Sequence, residues 1–352
     1  PADTGIVKLV PLFTLDAASR ILSNVGNIRL DAAGGGIVLG SVTTGSVSSG
    51  AVSLKAAGAI TDADADGAAQ TVNVTAGSLR VQAGVSFGTA ANIIETSIGV
   101  LSATAANGGI YVAEANGLEI GSNAAVSINR VDATGASAVF AGGDTALAGV
   151  TTTGGNGNVV ITNGNTHAGN LLVSQAISAN GSGNVLLGAN WVAVPGTITL
   201  NAGVRSDTGS LSLVAQGAIA QNAGANLVTA GAGTIDVQSG GAITMADATV
   251  LQTAGGNIRV SGAGVVTVGV LDARTAADRT ANALAGQAGW GAVSLSGASI
   301  IDNATEATTN AVDVYASSLR LNATAGIAAG NNALETEVML LSANSGTGAL
   351  FL

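Results

Sequence analysis

The chain has 352 residues, of which 52 are glycine, 9% are charged and 2% are aromatic, with no cysteine and a formal net charge of −10. A mean hydropathy of +0.50 argues against disorder, which needs few apolar residues and high net charge. The acidic balance and missing Lys/Arg stripe argue against nucleic-acid binding, and absent cysteine excludes disulfides and thiolate metal sites.

Read from its start, the chain opens at Pro1 with no basic-plus-apolar leader, so an export signal is expected to have been removed. No window holds the roughly 20 unbroken apolar residues of a spanning helix, and the aromatic girdles of an outer-membrane barrel are missing. Membrane insertion is therefore not expected. With almost no aromatic side chains, the core must come from small aliphatic residues in regular layers.

One phrase then recurs: glycine, any residue, and alternating apolar positions. It reads GNIRL at 26–30, GAVSL at 50–54, GSLRV at 77–81, GNVVI at 157–161, GNVLL at 183–187 and GTITL at 196–200. It continues as GSLSL at 209–213, GTIDV at 233–237, GNIRV at 256–260 and GAVSL at 291–295. Period-two alternation over five residues opened by glycine predicts short half-buried strands between turns. Spacings of 23 to 27 residues, as from Gly50 to Gly77 and from Gly233 to Gly256, match one coil of a solenoid. The predicted fold is all-β, a right-handed parallel β-helix spanning 1–352 as a single segment. At roughly 22 residues per coil it would hold about sixteen coils.

A longer repeat overlies the short one. Residues 1–112 recur as 231–352, with 113–230 present once: FTLDAASRILSNVGNIRL at 13–30 matches ITMADATVLQTAGGNIRV at 243–260. Arg29 recurs as Arg259, Arg80 as Arg320 and Glu95 as Glu335, which suggests an ion pair or ladder repeated per unit rather than an active site. The second copy carries an insert, 272–290, holding Arg274, Asp278, Arg279 and Trp290. Such an insert either protrudes as an interaction loop or packs along one face as an Ala-rich helix. The second copy stops in mid-unit, so end-to-end contacts with further repeats or identical chains are expected.

Asp62, Asp64 and Asp66, followed by Gly67, form a D-x-D-x-D-G string whose alternate carboxylates could converge on calcium. The second copy breaks it, reading IDNATEA at 301–307. His167 is the only histidine, so no repeated His-based site exists, and it reads as a turn residue.

Together, the glycine-led phrases, Asn/Thr/Ser-rich turns, GNVLLGA at 183–189, GSLSLVAQGAI at 209–219 and the lack of cysteine resemble the shaft repeats of filamentous-haemagglutinin-like bacterial exoproteins. That resemblance implies a very large secreted or cell-surface adhesin whose shaft is a parallel β-helix, with a host-cell, neighbouring-cell or matrix receptor as partner. The expected role is structural, as shaft or stacked filament. The alternatives are an adhesin with specific binding loops and, against the scarcity of aromatics, a glycan-active β-helix enzyme.

Overall fold

The computed structural model describes residues 5–8, 12–65, 71–140, 144–163, 169–189, 195–303 and 311–352, the first four by backbone alone. The fold is a parallel β-solenoid of about 13 turns. Its contacts divide the chain into two compact units, Pro1–Asn180 and Gly181–Leu352, and the division falls inside the stretch that occurs once.

In the second unit three short strands make one coil. Leu211–Ala215, Ile219–Gln221 and Leu227–Thr229 are followed by Ile235–Ser239, Ile243–Met245 and Val250–Gln252, each lying parallel to its predecessor. In-register pairing stacks like on like: Leu211 lies beside Ile235, which lies beside Ile258, which lies beside Val293. The alternation of the sequence becomes the alternation of the wall, with a buried–intermediate–buried pattern along Leu211–Ala215 and Ile235–Ser239. Stacked Leu, Ile and Val side chains fill the interior, and Leu213, Leu295 and Ile300 are fully buried. Fully burying each such side chain contributes about 1.5–3 kcal/mol relative to exposure.

The glycine that opens each phrase has a packing reason. A Cβ at Gly233 would lie 2.1 Å from the carbonyl oxygen of Gly209, at Gly256 2.1 Å from that of Gly233, and at Gly291 2.0 Å from that of Gly256. Each glycine therefore takes the carbonyl of the one below into the space its side chain would occupy.

The first unit is built alike. Ile28–Ala32, Ala51–Ala56, the later part of Val74–Ala83 and the later part of Ile94–Ala105 stack in parallel register. Between 121 and 149 the chain leaves the coil as an arm. Ser122–Asn123 pairs antiparallel with Leu147–Ala148, and Ile128–Val131 pairs antiparallel with Ser137–Phe140. Asp132 closes the tip, its Oδ1 accepting from the backbone N–H of Thr134 at 2.8 Å and of Ala136 at 3.0 Å.

The sequence spacing overestimates the number of coils. Paired strands are offset by 27 residues from Val52 to Leu79 and by 32 from Val42 to Val74, and the arm and insert add residues without adding turns.

Candidate functional site

On the outward side of the first unit, register places Arg29, Ser53, Arg80 and Ser102 in one column across four coils. A column of cations on a sheet face would ordinarily be solvated, yet Arg29 and Arg80 are each only 1% exposed. The arm covers them. Arg29 Nη2 donates to Asp144 Oδ1 at 3.0 Å, Ser53 Oγ donates to Asp144 Oδ2 at 2.7 Å, and Arg80 Nε donates to the Thr145 carbonyl at 2.7 Å. Arg80 Nη1 also lies 3.8 Å from Asp144 Oδ1. Phe140 stacks above the column, its ring centre 3.7 Å from the Arg130 guanidinium and 5.9 Å from that of Arg29. Asn123 Nδ2 bonds the Leu79 carbonyl at 2.8 Å and Ser102 Oγ at 2.9 Å. One carboxylate, one ring and several backbone groups thus fasten the arm across the coils.

The second unit repeats the column as Arg259, Ser294, Arg320 and Ser342. Here it is open. The Arg259 side chain is 52% exposed, Arg320 and Ser342 are exposed, and the surface between them forms a groove of about 500 Å³ lined by Asp236, Ile258, Arg259, Val293, Ser294 and Arg320, among others. Arg259 is held by Asp236 of the preceding coil through bonds of 2.8 and 2.9 Å. The recurrence of both arginines was legible as a ladder. The ion pairs they make are not the same: Arg29 bonds Asp31 and Asp144, whereas Arg259 bonds Asp236.

Glu95 and Glu335 belong elsewhere, to a buried polar corner. In the first unit Asn73 Nδ2 donates to Asp62 Oδ1 at 2.6 Å and to the Gly40 carbonyl at 3.1 Å, while Asn73 Oδ1 accepts from the Glu95 N–H at 3.0 Å. In the second unit Asp313 stands where Asn73 does, and its Oδ2 accepts from the Glu335 N–H at 2.9 Å. One oxygen each of Asp302, Asp313 and Glu335 then lies within 4.8 Å of the others. Burial, followed by the charge of Asp302, pushes the Asp313 carboxyl up to about 8, against the hydrogen bond from the Glu335 N–H, which lowers it. Oxygen-only donors suit a hard cation; a proton held among the three relieves the same repulsion.

The calcium string places Asp62 in this corner rather than in an open loop. Burial, then a hydrogen bond shared with the Asp64 side chain, pushes Asp62 up to about 6. Asp64 is lowered, first by the same bond. Asp66 and His167 lie outside the described residues.

The insert contains a single helical turn, Ala276–Thr280, capped by Thr275. Its charged residues face one another. Asp272 accepts from Arg274 Nη2 at 2.8 Å and Arg279 Nε at 2.9 Å. Burial opposes ionisation of Asp272, but the bonds from Arg274 and Arg279 win and hold its carboxyl low. Trp290 is 3% exposed, packs edge-on to Tyr315 at 6.3 Å, and donates from Nε1 to Asp278 Oδ2 at 2.9 Å. Arg274 lies over the Tyr315 ring at 3.7 Å. The four residues singled out in the insert are brought together, and their bonds tie the loop to the coil beneath it.

The arm had a signal that composition hides. Asp-Ala-Thr-Gly at 132–135 separates two alternating runs, VSINRV at 126–131 and SAVF at 137–140, which is the pattern of a hairpin with a polar turn. The class this fold and these sites define is a β-solenoid with accessory loops. No known family, curated protein or solved structure matches the chain. Among the described residues no helix is long and apolar enough to cross a membrane.

Proposed function

We propose that this chain is a non-catalytic structural segment of a large secreted or surface-exposed bacterial fibrous protein, a shaft whose coils stack into a filament serving adhesion or extracellular architecture. The observation that supports this reading is the in-register parallel stacking of coil on coil, Leu211 beside Ile235, Ile258 and Val293, in a chain whose long unit recurs.

Parallel strands paired through their backbone donors and acceptors let such a wall extend coil by coil. The reading carries no role in nucleic-acid binding or membrane insertion, and its partners are further coils and, at the level of the fibre, a surface receptor.

Electron microscopy of the purified chain over a range of concentrations tests it. Filaments longer than one chain, with an axial repeat of about 4.8 Å, are the expected result. Separate particles of single-chain size at every concentration would remove the filament from the reading and leave a shaft without self-stacking.

A further inference from the structure

We infer that the groove over Arg259, Ser294 and Arg320 is a docking site for a polypeptide arm of the same chemistry as residues 122–148: an antiparallel hairpin that presents one aspartate between the two arginines and an aromatic ring above them.

The argument rests on two surfaces with one register. Arg29 is paired with Ser53, and Ser53 with Arg80; Arg259 is paired with Ser294, and Ser294 with Arg320. The strands that carry them bury aliphatic residues at the same positions, Leu54 and Val81 in one case and Leu295 and Leu321 in the other. In the first unit these three side chains converge on the carboxylate of Asp144, with Arg29 and Ser53 giving two short charge-assisted bonds. The same cations and hydroxyl therefore stand at the same relative backbone positions in the second unit, facing outward into an open groove.

Charge complementarity selects the occupant. Two guanidinium groups and a hydroxyl ask for a carboxylate, and bidentate or forked arginine donors give it directional recognition. Among the described residues no carboxylate lies within ion-pair distance of Arg320. Asp236 holds Arg259 from the side of the preceding coil at a half-exposed position, so an incoming aspartate has only a solvated pair to rearrange. A polar neighbour agrees with the charges: Asn27 Nδ2 donates to the Ser127 carbonyl of the first arm at 3.0 Å, and Asn257, exposed, holds the corresponding place in the second unit.

The test uses the full chain and a synthetic peptide of residues 122–148, closed as a hairpin by a disulfide between cysteines added at its two ends. Isothermal titration is run against the unaltered chain, Arg320→Gln and Arg259→Gln, and with the peptide carrying Asp144→Asn. One peptide bound per chain is expected, with affinity falling about tenfold or more for Arg320→Gln and for the Asp144→Asn peptide, because each leaves a charge without its partner. Arg320 and Arg259 are exposed, so both variants should fold as the parent does, which circular dichroism checks. No binding by the closed hairpin overturns the inference. So does binding that is indifferent to both arginines, which would place the peptide elsewhere, and so does equal displacement of the peptide by any polyanion. None of these outcomes depends on whether chains form filaments.

Discussion

Arg80 and Arg320 occupy the same register position in their respective coils, each beside the serine of the strand before it, and one is 1% exposed while the other is exposed. The difference is Asp144 and the arm that carries it. Arg80 and Arg29 stay buried because one carboxylate has been brought to both, 115 residues along the chain from Arg29.

Removing that carboxylate should be costly. Asp144→Ala leaves Arg29 and Arg80 buried with the arm's anion gone, and breaking a buried pair from one side costs about 3–5 kcal/mol. Arg320→Ala should change stability by no more than ~0.5 kcal/mol, as ordinary surface substitutions do. Chemical denaturation of both variants checks the contrast; equal effects would contradict the burial argument.

The corner around Asp313 predicts a pH dependence. Its carboxyl is pushed up to about 8 in the folded chain against about 3.9 when unfolded. Between those values the folded state holds more protons, so stability is highest below the lower value and falls as pH rises toward 8. Asp313→Asn supplies the amide donor that Asn73 supplies to Asp62 in the first unit. Melting temperatures from pH 4 to pH 9 should show the variant gaining on the parent with rising pH and standing several degrees above it at pH 9. Parallel curves would show that Asp313 does not titrate in this window.

The insert should behave as a strapped loop. Trp290→Ala removes a buried ring and its bond to Asp278, a loss of about 3–5 kcal/mol by analogy with other large-to-small changes. Limited proteolysis should then cut within 276–289 far faster than in the parent. An unchanged cleavage pattern would mean that the Asp272, Arg274 and Arg279 cluster holds the loop without the ring.

Within the wall, Gly256→Ala should destabilise strongly, since the added Cβ meets a backbone oxygen at 2.1 Å. The coil must shift or the strand pairing must open. A full loss of cooperative melting, or a drop of about 2 kcal/mol or more, is expected by calorimetry.

Much of this architecture is legible in the sequence because the wall is local. The phrase GTIDV at 233–237 states its own inward residues, Ile235 and Val237, and its opening glycine marks the contact with the coil below. What the spacing could not give is anything that depends on a partner distant in the chain. Nothing near Arg29 announces Asp144, and nothing near Asp313 tells that Asp302 and Glu335 will share its corner. The insert was visible as extra residues, but not that Trp290 would turn inward to Tyr315. Two elements of matching register and similar sequence thus differ in exposure, and Asp144 and its arm meet only one of them.

The glycine stack carries a consequence for how such a chain can change. Because each opening glycine receives the carbonyl of the one beneath it, the permitted rise between coils is fixed by two backbones in contact, and the length of a turn is constrained at that point to close on its predecessor. Residues can be added freely where the path leaves the wall, as the arm and the insert do. Along the wall itself the chain can lengthen or shorten only by whole turns, so its natural increment of variation is the coil.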